Sequence, residues 1–292
     1  MTADLCRFAS LQALQKTNNM HPKVIKADGE EEPFDPSKLE LSLRRSGAAP
    51  EVCRYIVNHI RGELEDGMTT SEIYQHAFNL LKREEKSGIA ARYSIKRAVF
   101  DLGPSGFPFE RFVSEILRSE GWKTKTGVAM NGKCAPHEVD VLAEKGKERV
   151  GIEVKFHNSQ GIRTDVKDAL YVHARFEDLK AAREQSPKVT DGCLVTNTRF
   201  TINAVRYGMC SGLTMVSWDY PRNGGLHERI EKARVHPITA LTTVSDSEKR
   251  RLLDKNIVLC RKIMENPSIL AEFGINKERT EEIVAETREL CK

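Results

Sequence analysis

Glu153 and Lys155 stand two residues apart in the largely apolar run Gly151-Ile152-Glu153-Val154-Lys155-Phe156, and Asp140 lies upstream in His137-Glu138-Val139-Asp140-Val141. Two carboxylates and an ammonium in this pattern suit metal-assisted hydrolysis of a phosphodiester. Hard dications such as Mg2+ take oxygen ligands, and a bound dication polarises a phosphoryl oxygen and acidifies water. A neighbouring lysine can orient or deprotonate that water. Alone, a Glu-x-Lys on a strand is an exposed pair of charges. The apolar neighbours, the second strand carrying Asp140 and the amphipathic helix ahead of both argue for a site.

Alternate residues of a strand share a face, so Glu153 and Lys155 project together while Ile152, Val154 and Phe156 point the other way. The polar turn Glu144-Lys145-Gly146-Lys147-Glu148 lets two strands pair as a hairpin, which brings Asp140 beside Glu153. The pattern predicts a helix over 108–119 with Phe109, Phe112, Val113, Ile116 and Leu117 on one face. Strands follow over 122–126, 138–143 and 150–156, then a helix over 163–185, a strand over 191–197, a helix over 201–211 and a strand over 213–218. That order describes an α/β, three-layer sandwich with a mixed sheet.

Residues 104–220 resemble the Mrr-like branch of the PD-(D/E)xK restriction-endonuclease superfamily. The matching stretches are Gly106-Phe107-Pro108-Phe109-Glu110-Arg111-Phe112-Val113, Gly121-Trp122, the Asp140 and Glu153 segments, Leu194-Val195-Thr196-Asn197, Phe200-Thr201 and Ala204. The resemblance implies Asp140 and Glu153 as ligands of Mg2+ or Mn2+, with the Val154 carbonyl as a further ligand and Lys155 acting on water. It also implies a carboxylate from the first helix, for which Glu110 matches best and Glu115 second. His137 is either a metal or phosphate neighbour or a polar strand-end residue. Gln160, Asp168 and Tyr171 either line the substrate groove or are solvated. Thr196 and Asn197 end a strand where a phosphate contact is expected. Specificity is expected in loops 126–137 and 156–166, with Gly127–Ala135 mobile or bent over DNA.

Ahead of this domain, Lys23-Val24-Ile25-Lys26 is strand-like, Ala27-Asp28-Gly29-Glu30 is a turn, and Asp35-Pro36 opens a helix in which Leu39, Leu41 and Leu43 begin the apolar face. Further helices are predicted over 50–65, 70–83 and 89–100, with Thr69, Thr70 and Ser71 as possible caps. No GxxxxGK[ST] is present, which argues against P-loop hydrolysis. Residues 22–100 resemble the ATP cone of ribonucleotide reductases and their repressors, through Val24-Ile25-Lys26-Ala27-Asp28-Gly29, Phe34 to Leu39, Thr70 to Tyr74 and Ala90 to Tyr93. The resemblance implies an adenine nucleotide (ATP or dATP) as allosteric effector. Lys26 and Lys38 would contact its phosphates, with Glu32 and Thr70 nearby, and control would run through homo-oligomer assembly. Ala27 departs from the family, which usually has a basic residue there.

The predicted organisation is a disordered tail at 1–20, with a weak apolar pattern Leu5, Phe8, Leu11 and Leu14, and a helical cone with a small hairpin at 21–101. A linker at 102–106, a nuclease domain at 107–221 and a basic helical appendage at 222–292 complete it. In the appendage, helices are expected over 246–263, 266–272 and 277–290. Arg222, Arg229, Lys232, Arg234, His236 and Lys249-Arg250-Arg251 are candidates for tracking phosphate. Leu270 to Ile275 has the flavour of a helix-hairpin-helix turn, and a small bundle that dimerises or caps the nuclease domain is the other reading.

A net charge of +4 permits a nucleic-acid partner without demanding one. The seven cysteines form no CxxC pair, which argues against a zinc site or a disulfide framework. No signal segment and no apolar run of membrane-spanning length is seen, so a cytoplasmic protein is expected. The sequence therefore reads as a nucleotide-regulated, Mg2+-dependent endonuclease acting on DNA, with RNA as a possible substrate. The alternative is a non-catalytic nucleic-acid-binding sensor that keeps the fold.

Overall fold

The computed structural model describes residues 22–182 and 188–292, so the expectations for the 1–20 tail lie outside it. β1 (Lys23–Ile25) and β2 (Glu31–Pro33) form the expected antiparallel hairpin. α1 (Pro36–Arg45) begins as its sequence requires, with the Asp35 carboxylate accepting from the Ser37 N–H and Pro36 in the first turn. Leu39 and Leu43 are buried, but Leu41 is 50% exposed. Residues two apart on a helix differ by about 200°, so Leu41 cannot share their face.

α2 (Pro50–Glu63) and α3 (Thr70–Glu84) follow, and Thr69 is the cap of α3, in a reciprocal capping box with Glu72. The single helix expected over 89–100 is instead α4 (Ser87–Tyr93) and α5 (Ile95–Phe100). Between them the Ser94 hydroxyl donates to the Ala91 carbonyl at 2.8 Å. Ile95, Ala98 and Val99 thereby enter the same core as the sheet. Leu102 is fully buried, and a Cβ at Gly103 would lie 2.6 Å from the Asn158 side chain and 2.8 Å from the Phe156 ring. The 102–106 segment is thus packed at its Leu102-Gly103 end, while Pro104 and Ser105 are exposed.

α6 (Phe107–Ser119) leads into β3 (Lys123–Asn131), β4 (Pro136–Lys145) and β5 (Glu148–Lys155). Then come β6 (Arg163–Thr164), α7 (Val166–Lys180), β7 (Asp191–Thr196), β8 (Arg199–Phe200), α8 (Ile202–Ser211) and β9 (Thr214–Val216). The five-stranded sheet runs β3-β4-β5-β7-β9, antiparallel up to β5 and parallel beyond it. β6 and β8 make a small parallel pair of their own, which the sequence pattern did not suggest.

On one face Phe109, Phe112 and Ile116 of α6 pack on Val141, Ile152 and Val195. On the other, Val172, Phe176 and Leu179 of α7 and Ala204 of α8 cover Leu142, Leu194 and Met215. These are the three layers of the expected sandwich. Phe176 fits because Gly151 and Gly192 leave room: a Cβ at either would come within 2.3 Å of its ring. That notch fixes which residues of α7 lie above β5.

The remaining chain forms α9 (Leu226–Ala233), α10 (Asp246–Asp254), α11 (Arg261–Glu265), a 3-10 stretch at Pro267–Phe273 and α12 (Lys277–Leu290). The helix expected over 246–263 is therefore broken, with Asn256 at φ 64° between its parts. Leu252, Leu270, Phe273 and Ile283 join the core under α6, so this region caps the nuclease layer. Arg92 of α4 donates to the Glu289 and Leu290 carbonyls at 3.2 and 3.4 Å, tying the N-terminal helices to the end of α12. Among the described residues no helix is long and apolar enough to cross a membrane.

One buried carboxylate holds this cap. Glu286 is 1% exposed and accepts from the Thr242 N–H and hydroxyl, both at 2.7 Å, and from the Thr243 N–H and hydroxyl at 2.9 and 2.5 Å. Glu286→Ala strands all four donors. It is expected to lower stability by about 3 kcal/mol, since each buried orphan costs roughly 1–3 kcal/mol and some will relax toward water. Urea unfolding of the whole chain checks this, and a loss below about 1 kcal/mol would show that the network is dispensable.

Candidate functional site

β4 and β5 pair as far as Val141↔Ile152. At the next step a side chain takes over from the ladder, and the Val154 N–H donates to Asp140 Oδ2 at 2.7 Å. Asp140 is thereby fixed beside the strand that carries Glu153 and Lys155. Helix α7 crosses above these residues. Its Asp168 meets Lys155, Oδ1 to Nζ, at 3.1 Å, and Arg175 Nη1 bonds Glu153 Oε2 and also the Glu138 carbonyl, the latter at 3.0 Å. The Arg175 guanidinium lies over the Tyr171 ring at 4.7 Å and donates to its hydroxyl.

Charge is crowded here. Burial first, and then the neighbouring Asp140 carboxylate, push Glu153 up to about 7, with Arg175 and Lys155 opposing the rise. Glu110, in the first turn of α6, is likewise pushed up to about 7 by burial, Asp140 and Glu138. Asp140 is raised by burial, against the pull of the Val154 N–H. The structure therefore brings Glu110 into the field of Asp140, while Glu115 is turned away, pairing with Arg118 at 2.7 Å and Arg261 at 3.5 Å.

The donor set of Asp140, Glu153 and the Val154 carbonyl, with Glu110 near, is all hard oxygen and fits Mg2+ or Mn2+ better than a soft metal. Destabilised carboxylates that gain from a nearby dication are the physical sign of such a fit. Their carboxylate oxygens do not form one tight group here, and Glu153 is paired with Arg175. Among the described residues, the side chains whose ligand atoms all lie within 4.8 Å are His59, Glu63 and His76. These form a partly exposed imidazole–carboxylate network bridging α2 and α3.

Two residues at this site were not picked out from sequence: Arg175, and Glu138, whose charge acts on both Asp140 and Glu110. A signal existed for each. Asp168, Tyr171 and Arg175 fall at i, i+3 and i+7 of one helix, a single face. Glu138 precedes Asp140 by two on a strand, the same face.

Other expectations need correction. Gly127–Ala135 is not an irregular loop but largely strand: the β3–β4 hairpin continues to Asn131↔Pro136. Its turn is tied down by Asp178, which accepts from the Cys134 and Ala135 N–H groups at 2.8 and 3.2 Å and meets His137 Nε2 at 2.8 Å. The His137 hydrogen bond, ahead of the others, holds Asp178 down at about 2. His137 is thus a strand-end anchor. Thr196 and Asn197 are both fully buried and turned inward. Asn197 clasps the backbone of His157, accepting from its N–H at 2.9 Å and donating to its carbonyl at 2.8 Å. Thr196 bonds Thr164 at 3.0 Å.

Several basic residues of the C-terminal region are also structural. Arg229 pairs with Glu120 at 3.1 Å, His236 is 2% exposed, and Arg251 donates to the Phe273 carbonyl at 3.0 Å. Leu270, Phe273 and Ile275 are buried, so the helix-hairpin-helix-like turn faces the core.

At the hairpin, Glu32 lies between the two lysines singled out from sequence, 3.3 Å from Lys26 and 3.1 Å from Lys38. Lys26 also meets Glu30 at 2.9 Å. Lys26 and Thr70 line a common cleft of about 600 Å³, whereas Lys38 lines a separate cavity of about 320 Å³ beside Arg45 and Trp218.

Comparison with known proteins agrees with this architecture. Residues 22–99 match the model of the ATP cone domain, 104–219 that of a restriction endonuclease domain, and 236–291 that described as AF1548-like, C-terminal. An uncharacterised protein of Archaeoglobus fulgidus is 32% identical over 179 residues, spanning 61% of this chain and 99% of its own length. The crystal structure of a protein of unknown function, AF1548, superposes with a TM-score of 0.54 at 31% identity, covering 64% of this chain and 98% of that one. The MspJI restriction endonuclease in complex with a 27-mer oligonucleotide overlaps with a TM-score of 0.35 at 15% identity, over 72% of this chain and 44% of that one. So low an overlap has no bearing on function.

Proposed function

This chain belongs to the AF1548-like family and carries an ATP cone ahead of a restriction-endonuclease domain, and we propose that it is a nucleotide-regulated, Mg2+- or Mn2+-dependent DNA endonuclease of the cytoplasm. The observation that carries this reading is the convergence of Asp140, Glu153 and Lys155 at the end of the β4–β5 ladder, with α7 supplying a partner to Glu153 and to Lys155.

Asp140, Glu153 and the Val154 carbonyl would hold the dication, which supplies phosphoryl polarisation and a more acidic water. Glu110 adds negative charge from the opposite layer. Lys155 Nζ, held as an ammonium, orients the attacking water by donating to it, and Asp168 keeps it aimed at the face it shares with Glu153. Tyr171, 59% exposed on the same helix face, lies where a nucleic-acid strand would run. The cone binds ATP or dATP without hydrolysing it. Nucleotide alters activity to the extent that it prefers one arrangement or one homo-oligomer over another.

The test is conversion of supercoiled plasmid to nicked or linear DNA with Mg2+, Mn2+ or EDTA, with and without ATP or dATP. Cleavage is expected to need the metal and to change at least about five-fold with nucleotide, the lower end of ordinary coupling. Metal-dependent cleavage indifferent to every nucleotide keeps the nuclease and removes the regulation. Absence of cleavage of plasmid, single-stranded DNA and RNA overturns the enzyme in favour of a binding-only sensor.

A further inference from the structure

Resting on the reading of residues 22–99 as a nucleotide-binding cone, we propose that the effector site is composite, with the polyphosphate of a nucleoside triphosphate held between Lys26 and Lys96 on one side and the Asn158–Gly161 loop of the nuclease domain on the other. Two cavities, of about 600 and about 170 Å³, both include Lys26, Thr70, Lys96, Phe100 and Gln160 in their walls, and so form one cleft along the seam between the two domains. The combined space suits a ligand of nucleotide size.

The electrostatics of the cleft favour an anion. The acidic side chains in its walls are already compensated: Asp28 by Arg163 at 3.0 Å and Asp101 by Arg97 at 3.4 Å. Lys96 differs. Among the described residues no carboxylate lies within ion-pair distance of its Nζ, which sits 6.0 Å from the centre of the Trp218 ring. Burial, and then the charge of Arg199, lower its pKa, with Asp219, itself paired to Arg199 at 2.9 Å, opposing them. A desolvated ammonium with no ion-pair partner of its own is unfavourable, and a phosphate in the cleft supplies a direct one. Lys26, by contrast, must first give up Glu30 and Glu32. Lys96 is therefore the stronger phosphate anchor, although the hairpin lysines drew attention in the sequence.

The seam also links the cleft to the chemistry. Gly161 packs so closely on the hairpin that a Cβ there would lie 2.3 Å from the Ala27 carbonyl oxygen and 2.9 Å from its carbon. The same loop begins three residues after Lys155, and Asn197 clasps its base at His157. A ligand touching both walls binds the docked arrangement more tightly than any undocked one. Nucleotide occupancy thereby biases the position of the segment that follows Glu153 and Lys155.

Isothermal titration of the full-length chain with MgATP and with MgdATP tests this, using Lys96→Met, Lys96→Arg, Gly161→Ala and Lys26→Ala. Lys96→Met keeps the aliphatic stem over Trp218 and removes the charge. It is expected to weaken binding by at least about ten-fold, as for loss of one charge-assisted contact, and Lys96→Arg to recover most of it. Gly161→Ala forces hairpin and loop apart and is expected to weaken binding although it removes no charge. Should that variant fail to fold, the Lys96 pair still decides. Wild-type affinity in Lys96→Met and Gly161→Ala, with loss in Lys26→Ala, overturns the composite site and leaves the cone intact. A wild-type chain that binds neither nucleotide overturns the cone reading itself, and this inference with it.

Discussion

Asp140→Asn is expected to slow metal-dependent plasmid cleavage by about 10²–10³-fold while leaving the fold intact, since removing one element of a preorganised electrostatic site costs about that much. The amide is isosteric, and its oxygen still accepts the Val154 N–H that Asp140 Oδ2 accepts at 2.7 Å. What disappears is a charge that burial already disfavours and that helps push Glu153 and Glu110 up to about 7. Stability in EDTA is therefore expected to stay level or rise, while stabilisation by Mg2+ is lost. Lys155→Ala is expected to lose cleavage to a similar degree but to keep the stabilisation by Mg2+, because the lysine is no ligand. The pair separates the two roles by thermal melts and cleavage rates on the same samples. Lys155→Ala cutting at the wild-type rate, or Asp140→Asn retaining both cleavage and the Mg2+ shift, would sink the assignment.

The reason this part of the site was legible in sequence is that its geometry is local. Strand alternation puts Glu153 and Lys155 on one face, and one hairpin turn sets Asp140 opposite, so no knowledge of tertiary packing is needed. Arg175 is of another kind. Its place over Glu153 depends on how α7 settles on the sheet, which Phe176 decides by filling the notch at Gly151 and Gly192. Helix periodicity names the face that carries Asp168, Tyr171 and Arg175, but not the strand that it meets.

The misjudged residues share a cause. Thr196, Asn197 and Arg229 are polar types that sequence reads as available to a ligand. In the structure each is used up by the chain itself, Asn197 most clearly through its two bonds to the His157 backbone. Backbone polar groups near a core must be satisfied, and polar side chains are the local means of doing so. Conversely, the contact of Gly161 with Ala27 joins residues 134 positions apart and leaves no trace in composition or period. The packing of α4 and α5 against the C-terminal helices is equally non-local, and it draws Leu102, at the start of the connector, into the same core.

Arg175→Ala is expected to make the protein depend on the dication for its stability. Arg175 and Glu153 are 13% and 18% exposed, so the loss of one leaves the other charged and buried, a change worth about 2–4 kcal/mol after relaxation and proton uptake. The sign with pH follows from Glu153. Its folded pKa, about 7, lies above its ordinary value of 4.5, so folding takes up protons there and stability falls as pH rises through that interval. Without Arg175 the folded pKa rises further, and the fall extends to higher pH. The variant is therefore expected to lose more relative to wild type at pH 8 than at pH 6. His157 and His227, both lowered by burial, contribute the opposite slope in both proteins and cancel from the difference. Mg2+ or Mn2+ can take over the compensation of Glu153, so the rise in melting temperature on adding either should be larger in Arg175→Ala than in wild type. A rise that is equal or smaller would mean that Glu153 does not face the metal, and that its pairing with Arg175 serves only to anchor α7 on the sheet.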